Sequence, residues 1–183
     1  MHPEIPNNGL TLILGGVRSG KSAFAEKIAR ESGKSVLFVA TAAAGDDEMA
    51  ERINKHRASR PAEWHTLELS HDIGRNLSEP VAPVVILDCI TLLVSNIILS
   101  LPENTSTEVV MDTIHTEIDE MIAAQTRLGG QWLIISNEVG LGLVPPNPLG
   151  RVYRDALGFA NQALAKAARR VIFMIAGIPL VIK

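Results

Sequence analysis

The chain has 183 residues, a length that fits one domain with one sizeable core, and its 46% apolar and 20% charged residues are the balance of a globular protein. The net charge of −3 gives no general attraction to polyanions, no basic stripe marks a nucleic-acid face, and the longest apolar neighbourhood, LLVSNIILSL at 92–101, is about half of what a bilayer span requires. A single Cys89 excludes an intrachain disulfide, and the N-terminus MHPEIPNNG lacks the basic and apolar regions of a secretory signal, so a reducing, cytoplasmic setting is expected.

Taken in chain order, the first apolar run is LTLIL at 10–14, which reads as a buried strand. It leads directly into GGVRSGKS, residues 15–22, and then into SAFAEKIARES, a helical pattern that stops at Gly33. SVLFVA at 35–40 is a second strand. DDEMAERINKHRAS at 46–59 follows as a helix, with acidic residues at its start and Glu48–Arg52 and Glu51–Lys55 pairs at i,i+4 spacing. PVVILDC at 83–89 and QWLIIS at 131–136 are further strands, separated by the longest helix pattern, TEVVMDTIHTEIDEMIAAQTRL at 107–128. The helix LGRVYRDALGFANQALAKAARR precedes a fifth strand, RVIFMIAG at 170–177, and LVIK at 180–183 could add an edge strand beyond Pro179. Most strands are continuous runs rich in Val and Ile, as in a parallel sheet covered on both faces. Alternation of strand and helix predicts an α/β layered fold, with residues 1–9 as a loose extension and 10–183 as one domain.

The segment from Gly15 to Ser22 matches G-x-x-x-x-G-K-[ST] at the strand-to-helix junction where that motif works. Its glycines permit a tight loop whose backbone N–H groups point at anionic oxygens, and the helix starting near Ser19 adds its positive end. Lys21 would reach the β- and γ-phosphates and Ser22 would bind Mg²⁺. This predicts a three-layer fold of the P-loop NTPase kind with a mostly parallel central sheet. Asp88, ending the run VVILD, is a second candidate Mg²⁺ ligand, with capping of the following helix as the alternative.

His56 stands on the stripe of Met49 and Ile53 by its i, i+4, i+7 spacing, with Arg57 and Arg60 close behind. A neutral imidazole can attack phosphorus while guanidiniums neutralise a departing pyrophosphate. The residues themselves leave open a structural histidine beside a solvated charge run.

The motifs GGVRSGKS, FVATA, DDEMAERINKHRASRPAEWHTLE, LDCIT and SNEVGLGLVPPNPLGRVYRDALGFANQALA occur in this order. Together they resemble the bifunctional adenosylcobinamide kinase / adenosylcobinamide-phosphate guanylyltransferase family of cobalamin biosynthesis, over about residues 10–183. The resemblance implies phosphorylation of adenosylcobinamide by ATP or GTP, then transfer of GMP from GTP through a GMP-histidine intermediate, with His56 as the matching histidine. It implies nucleotide contacts at Gly15, Gly16, Val17, Arg18, Ser19, Gly20, Lys21 and Ser22, at Ala40, Thr41 and Ala42, at Arg57, Ala58, Ser59 and Arg60, and at Glu68 and Asp88. It also implies a homotrimer. Many relatives carry Glu where this chain has Asp88, and some carry a second histidine where it has Lys55. By position, Asn137 and Glu138 at the end of the fourth strand and Asp155 and Asn161 on the helix after the NEVGLGLVP loop are further candidates for corrinoid or metal contact, with helix capping and core hydrogen bonding as the alternative.

Two other functions fit parts of the pattern. A monofunctional small-molecule kinase would keep Lys21, Ser22 and Asp88 and leave His56 structural. A nucleotide-dependent assembly protein would need a basic DNA-facing loop, which the sequence does not offer. A regulatory GTPase is disfavoured because Asn54-Lys55-His56-Arg57 misses the N-K-x-D pattern at its last position.

Overall fold

A computed structural model describes residues 5–42, 60–78 and 81–183. The helix expected at 46–59 and the residues His56, Arg57, Ala58 and Ser59 lie outside the described residues. The elements in order are β1 (Gly9–Gly15), α1 (Lys21–Glu31), β2 (Val36–Ala40), β3 (His65–Glu68), α2 (Ile73–Asn76), β4 (Val84–Asp88), α3 (Ile90–Ser100), α4 (Thr107–Leu128), β5 (Gln131–Ile135), α5 (Pro148–Ala167), β6 (Arg170–Ile175) and β7 (Ile178–Val181).

The seven strands form one sheet in the order β3-β2-β4-β5-β1-β6-β7. All neighbours are parallel except β6 and β7, which make a hairpin. The continuous apolar runs are explained by the two-residue period of a strand: Leu12, Val85, Leu87, Trp132 and Ile134 enter one core, while Ile13, Val84, Ile86, Leu133 and Ile135 enter the other. The first core is closed by α3, α4 and α5; the second is covered by α1 through Ala25 and Ala29. Helices on both faces of a mostly parallel sheet give the three-layer α/β fold expected from the sequence.

Four elements depart from the sequence reading, the first being the single-turn α2, which was not anticipated. β3 was not anticipated, because His65-Thr66-Leu67-Glu68 has polar ends, half-exposed middle residues and no apolar run; it pairs with β2 as a parallel edge strand. α3 was not separated from the apolar neighbourhood around it. It buries Ile90, Leu93, Val94, Ile97 and Ile98, an i, i+3, i+4, i+7, i+8 stripe hidden among further Leu and Ile residues. β7 begins at Ile178 and contains Pro179 rather than starting after it, which an edge strand tolerates because the missing N–H need not join a ladder. By contrast α4 has the expected bounds, 107–128, with Ser106 Oγ accepting from the Val109 N–H at its start.

Before β1, Ile5 packs on the second core and the Gln131 side-chain amide donates to the Pro6 carbonyl at 2.9 Å. Among the described residues no helix is long and apolar enough to cross a membrane.

Candidate active site

Because β1 to β5 run parallel, Gly15, Ala40, Glu68, Asp88 and Ile135 all end on one edge of the sheet, the edge where open α/β folds gather ligands. The loop from Gly15 to Gly20 turns there. A Cβ at Gly15 would lie 2.5 Å from the Met174 carbonyl oxygen, so only glycine lets the loop pass this close to β6. Gly20 caps α1 at φ 96, a left-handed conformation that costs glycine little, and Arg18 is left-handed too at φ 57. The β6–β7 turn braces the loop from outside, with the Gly177 N–H donating to Ser19 O at 2.9 Å.

Lys21 is only 8% exposed, and its ammonium donates to the Gly16 carbonyl at 2.6 Å. Burial holds its pKa below the ordinary lysine value, while Cys89 and Asp88 pull it back up. Ser19 Oγ is buried against the same loop and makes no protein hydrogen bond among the described residues. A buried hydroxyl donor, the N–H groups at the start of α1 and one partly desolvated ammonium suit a polyanionic ligand.

These groups line a cavity of about 490 Å³ that also reaches Ala40, Ala42, Arg60 and Asp88. The structure therefore brings Val17–Ser22 together with the ends of β2 and β4 and with Arg60, whose guanidinium stacks 3.6 Å from the centroid of the Phe38 ring. Gly15, Gly16, Thr41 and Glu68 do not line it. Glu68 ends β3 beside Ala40 and is exposed. Thr41 is buried and works as a clamp: its hydroxyl donates to Cys89 O and accepts from Cys89 N–H, both at 2.7 Å, while the Asn96 amide donates to Thr41 O at 2.7 Å and to Ser70 O at 3.3 Å. This fixes the ends of β2 and β4 side by side.

Cys89, Thr91, Leu92 and Ile135 also line the cavity, a contribution the sequence reading did not make. The signal was available in the residues directly after Asp88, since a strand end that carries a ligand also exposes the turn that follows it. α3 takes Cys89 as its N-cap, without a side-chain capping bond. Burial, followed by the charge of Asp88, pushes the Cys89 thiol up to about 11, so it stays protonated and unreactive near neutrality. Of the four further candidates, Asn137 alone lines the cavity. Asn161 is buried and donates to Asn137 O at 3.1 Å, which makes it a support for that turn. Glu138 accepts from the Gly140 N–H, and Asp155 is exposed beside Arg154.

Magnesium takes hard oxygen ligands and is held by one or two protein oxygens together with substrate phosphates and water. The Ser22 hydroxyl and the Asp88 carboxylate, both bordering the cavity, fit that requirement. Among the described residues no cluster of three or more His, Cys, Asp or Glu could hold a metal by itself.

A family model described as cobinamide kinase / cobinamide phosphate guanyltransferase matches residues 11–182. The chain belongs to that family. It is 42% identical over 175 residues to the bifunctional adenosylcobalamin biosynthesis protein CobP of Pseudomonas aeruginosa, covering 94% of this chain and 96% of that one. It is 38% identical over 181 residues to the bifunctional adenosylcobalamin biosynthesis protein CobU of Escherichia coli K12, covering 95% and 99%. Among solved structures, the flagellar accessory protein FlaH from Methanocaldococcus jannaschii superposes with a TM-score of 0.51 at 17% identity, over 98% of this chain and 80% of that one. That likeness carries the fold alone. The chain is thus a transferase of this family with a P-loop nucleotide-binding fold.

Proposed function

We propose that both family activities run on this one cavity, making the chain a bifunctional adenosylcobinamide kinase and adenosylcobinamide-phosphate guanylyltransferase. The observation that supports this most directly is the convergence of Lys21, Ser22 and Asp88 on a cavity that Arg60, four residues after His56, also borders.

In the first reaction the triphosphate of ATP or GTP lies along the P-loop. The aminopropanol hydroxyl of adenosylcobinamide attacks the γ-phosphorus; a P–O bond to the substrate forms, the bond to the bridging oxygen breaks, the nucleoside diphosphate leaves, and the hydroxyl proton passes to water. Lys21 and the loop N–H groups offset the charge that spreads over the transferring group. Mg²⁺ held by Ser22, Asp88 and phosphate oxygens adds further neutralisation when bound.

In the second reaction a His56 ring nitrogen attacks the α-phosphorus of GTP, and pyrophosphate leaves towards the P-loop. Arg57 and Arg60 offset its charge. An oxygen of adenosylcobinamide phosphate then attacks the α-phosphorus, the P–N bond breaks, and adenosyl-GDP-cobinamide and free imidazole result. Ala40, Thr41, Ala42, Ala58, Ser59 and Glu68 complete the nucleotide contacts. Residues 10–183 act as one catalytic domain, in the cytoplasm and as a homotrimer, with no nucleic-acid partner and no insertion into a membrane.

The test is incubation with α-³²P-GTP and Mg²⁺ without corrinoid, followed by a denaturing gel and acid treatment. Acid-labile label on the protein, absent from His56→Ala, is expected. His56→Ala keeps measurable kinase activity, while Lys21→Ala loses both reactions by roughly a hundredfold or more. Absence of label on protein that still binds GTP would leave a monofunctional kinase.

A further inference from the structure

The loop from β5 to α5 carries three apolar side chains that the fold leaves in solvent. Leu141, Leu143 and Val144 are 83%, 96% and 63% exposed. Exposed apolar groups gathered in one place mark a surface that meets another molecule. Hydrogen bonds along the loop brace the backbone that carries them. Glu138 Oε1 accepts from the Gly140 N–H at 2.6 Å, and the Arg151 guanidinium donates to the Pro145 and Pro146 carbonyls at 3.1 and 2.9 Å. Asn147 Oδ1 accepts from the Gly150 N–H at 2.6 Å and caps α5.

This surface is continuous with the mouth of the cavity. The Glu138 N–H donates to the carbonyl of Gly15, the first P-loop residue, at 3.3 Å, and the preceding Asn137 lines the cavity. Three residues span at most about 11 Å, so Leu141 stands close to the phosphate loop. Val17 on that loop lines the cavity and is itself 78% exposed, extending the apolar rim. A cavity of about 490 Å³ is of the size a single drug-sized ligand fills, so a nucleoside triphosphate leaves no room for a second large molecule inside. The acceptor hydroxyl must enter on an arm while the body of the acceptor stays outside.

We propose that Leu141, Leu143 and Val144 form a platform for the corrin macrocycle of the acceptor. Its methyl-bearing edge rests on these side chains, and its aminopropanol arm reaches past Val17 to the phosphates. The proposal rests on the reading of the cavity as the nucleotide site.

The test uses the full-length protein with Leu143→Asp and the double variant Leu141→Asp/Leu143→Asp, both at exposed positions that the core does not need. In the kinase assay with cobinamide varied, KM for cobinamide rises tenfold or more, KM for the nucleotide stays within twofold, and Leu143→Met retains the parent value. Labelling by α-³²P-GTP without corrinoid keeps its rate, and sedimentation velocity shows the parent's assembly state. An unchanged KM for cobinamide overturns the platform. So does a shift of the variants to a smaller species, which makes the patch a contact between copies of the chain. If the parent protein itself takes no label, the two-step guanylyl mechanism fails, while the KM for cobinamide still decides the platform.

Discussion

Tyr153 shows how far the surroundings of the cavity are held out of water. Its hydroxyl donates to Thr91 O at 3.4 Å, reaching from α5 to the first turn of α3, which lines the cavity. Burial, and after it the charge of Cys89, pushes its pKa from 10.0 up to about 12. The native state thus keeps a phenolic proton that the unfolded chain gives up near pH 10. Its contribution to stability is full below pH 10 and is lost as the pH rises towards 12. Tyr153 is the only tyrosine in the chain, so absorbance near 295 nm reads it directly. We expect no rise between pH 10 and 11 while the circular dichroism stays native; a midpoint near 10 in folded protein would show the ring to be open to solvent.

Among the elements, α2 is too short to stand alone, and α4 supplies what it lacks. Glu117, buried on α4, accepts from the N–H groups of Asp72 and Ile73 at 2.8 Å each, satisfying donors that begin the short helix. Arg127, three turns further along α4, donates to Gly74 O and Leu77 O at its other end. Gly74 lets the two helices meet: a Cβ there would stand 2.5 Å from both the carbonyl carbon and oxygen of Glu120. Gly74→Ala would gain at most about 1 kcal/mol of helix propensity but forces backbone against backbone, so a net loss of about 1–3 kcal/mol is expected in urea denaturation. The P-loop, Asp88 and the span of α4 were legible in the sequence because each is a local pattern: a fixed spacing, a charge ending an apolar run, a long period of 3.6. The clamp of Thr41 on Cys89, the bridge from Asn96 to Ser70 and the grip of Glu117 on α2 were not legible. They join residues 26 to 48 positions apart, and no short-range spacing encodes them. β3 escaped for a different reason, since an edge strand paired on one side needs little apolar character.

For the whole molecule, the cavity lies at the ends of β1, β2, β4 and β5, so a nucleotide filling it, as proposed, would tie together segments from both halves of the chain. Ligand that binds only the folded state at a hundred times its Kd adds about 2.7 kcal/mol, which for a chain of this size raises Tm by about 5–10 °C. GTP with Mg²⁺ should produce that shift in thermal denaturation, and Lys21→Ala should abolish it. A shift retained in Lys21→Ala would place the binding energy away from the triphosphate.

The contact between Gly177 and Ser19 carries a consequence for how the enzyme is made. Among the described residues β1 pairs with β5 and β6, and the P-loop that follows it is propped by the β6–β7 turn at Gly177, far along the chain. Such distant pairings must wait for the chain that separates them. The phosphate loop therefore cannot be braced until β6 and β7 have been made, and a protein lacking residues 172–183 would lose the hairpin that holds it.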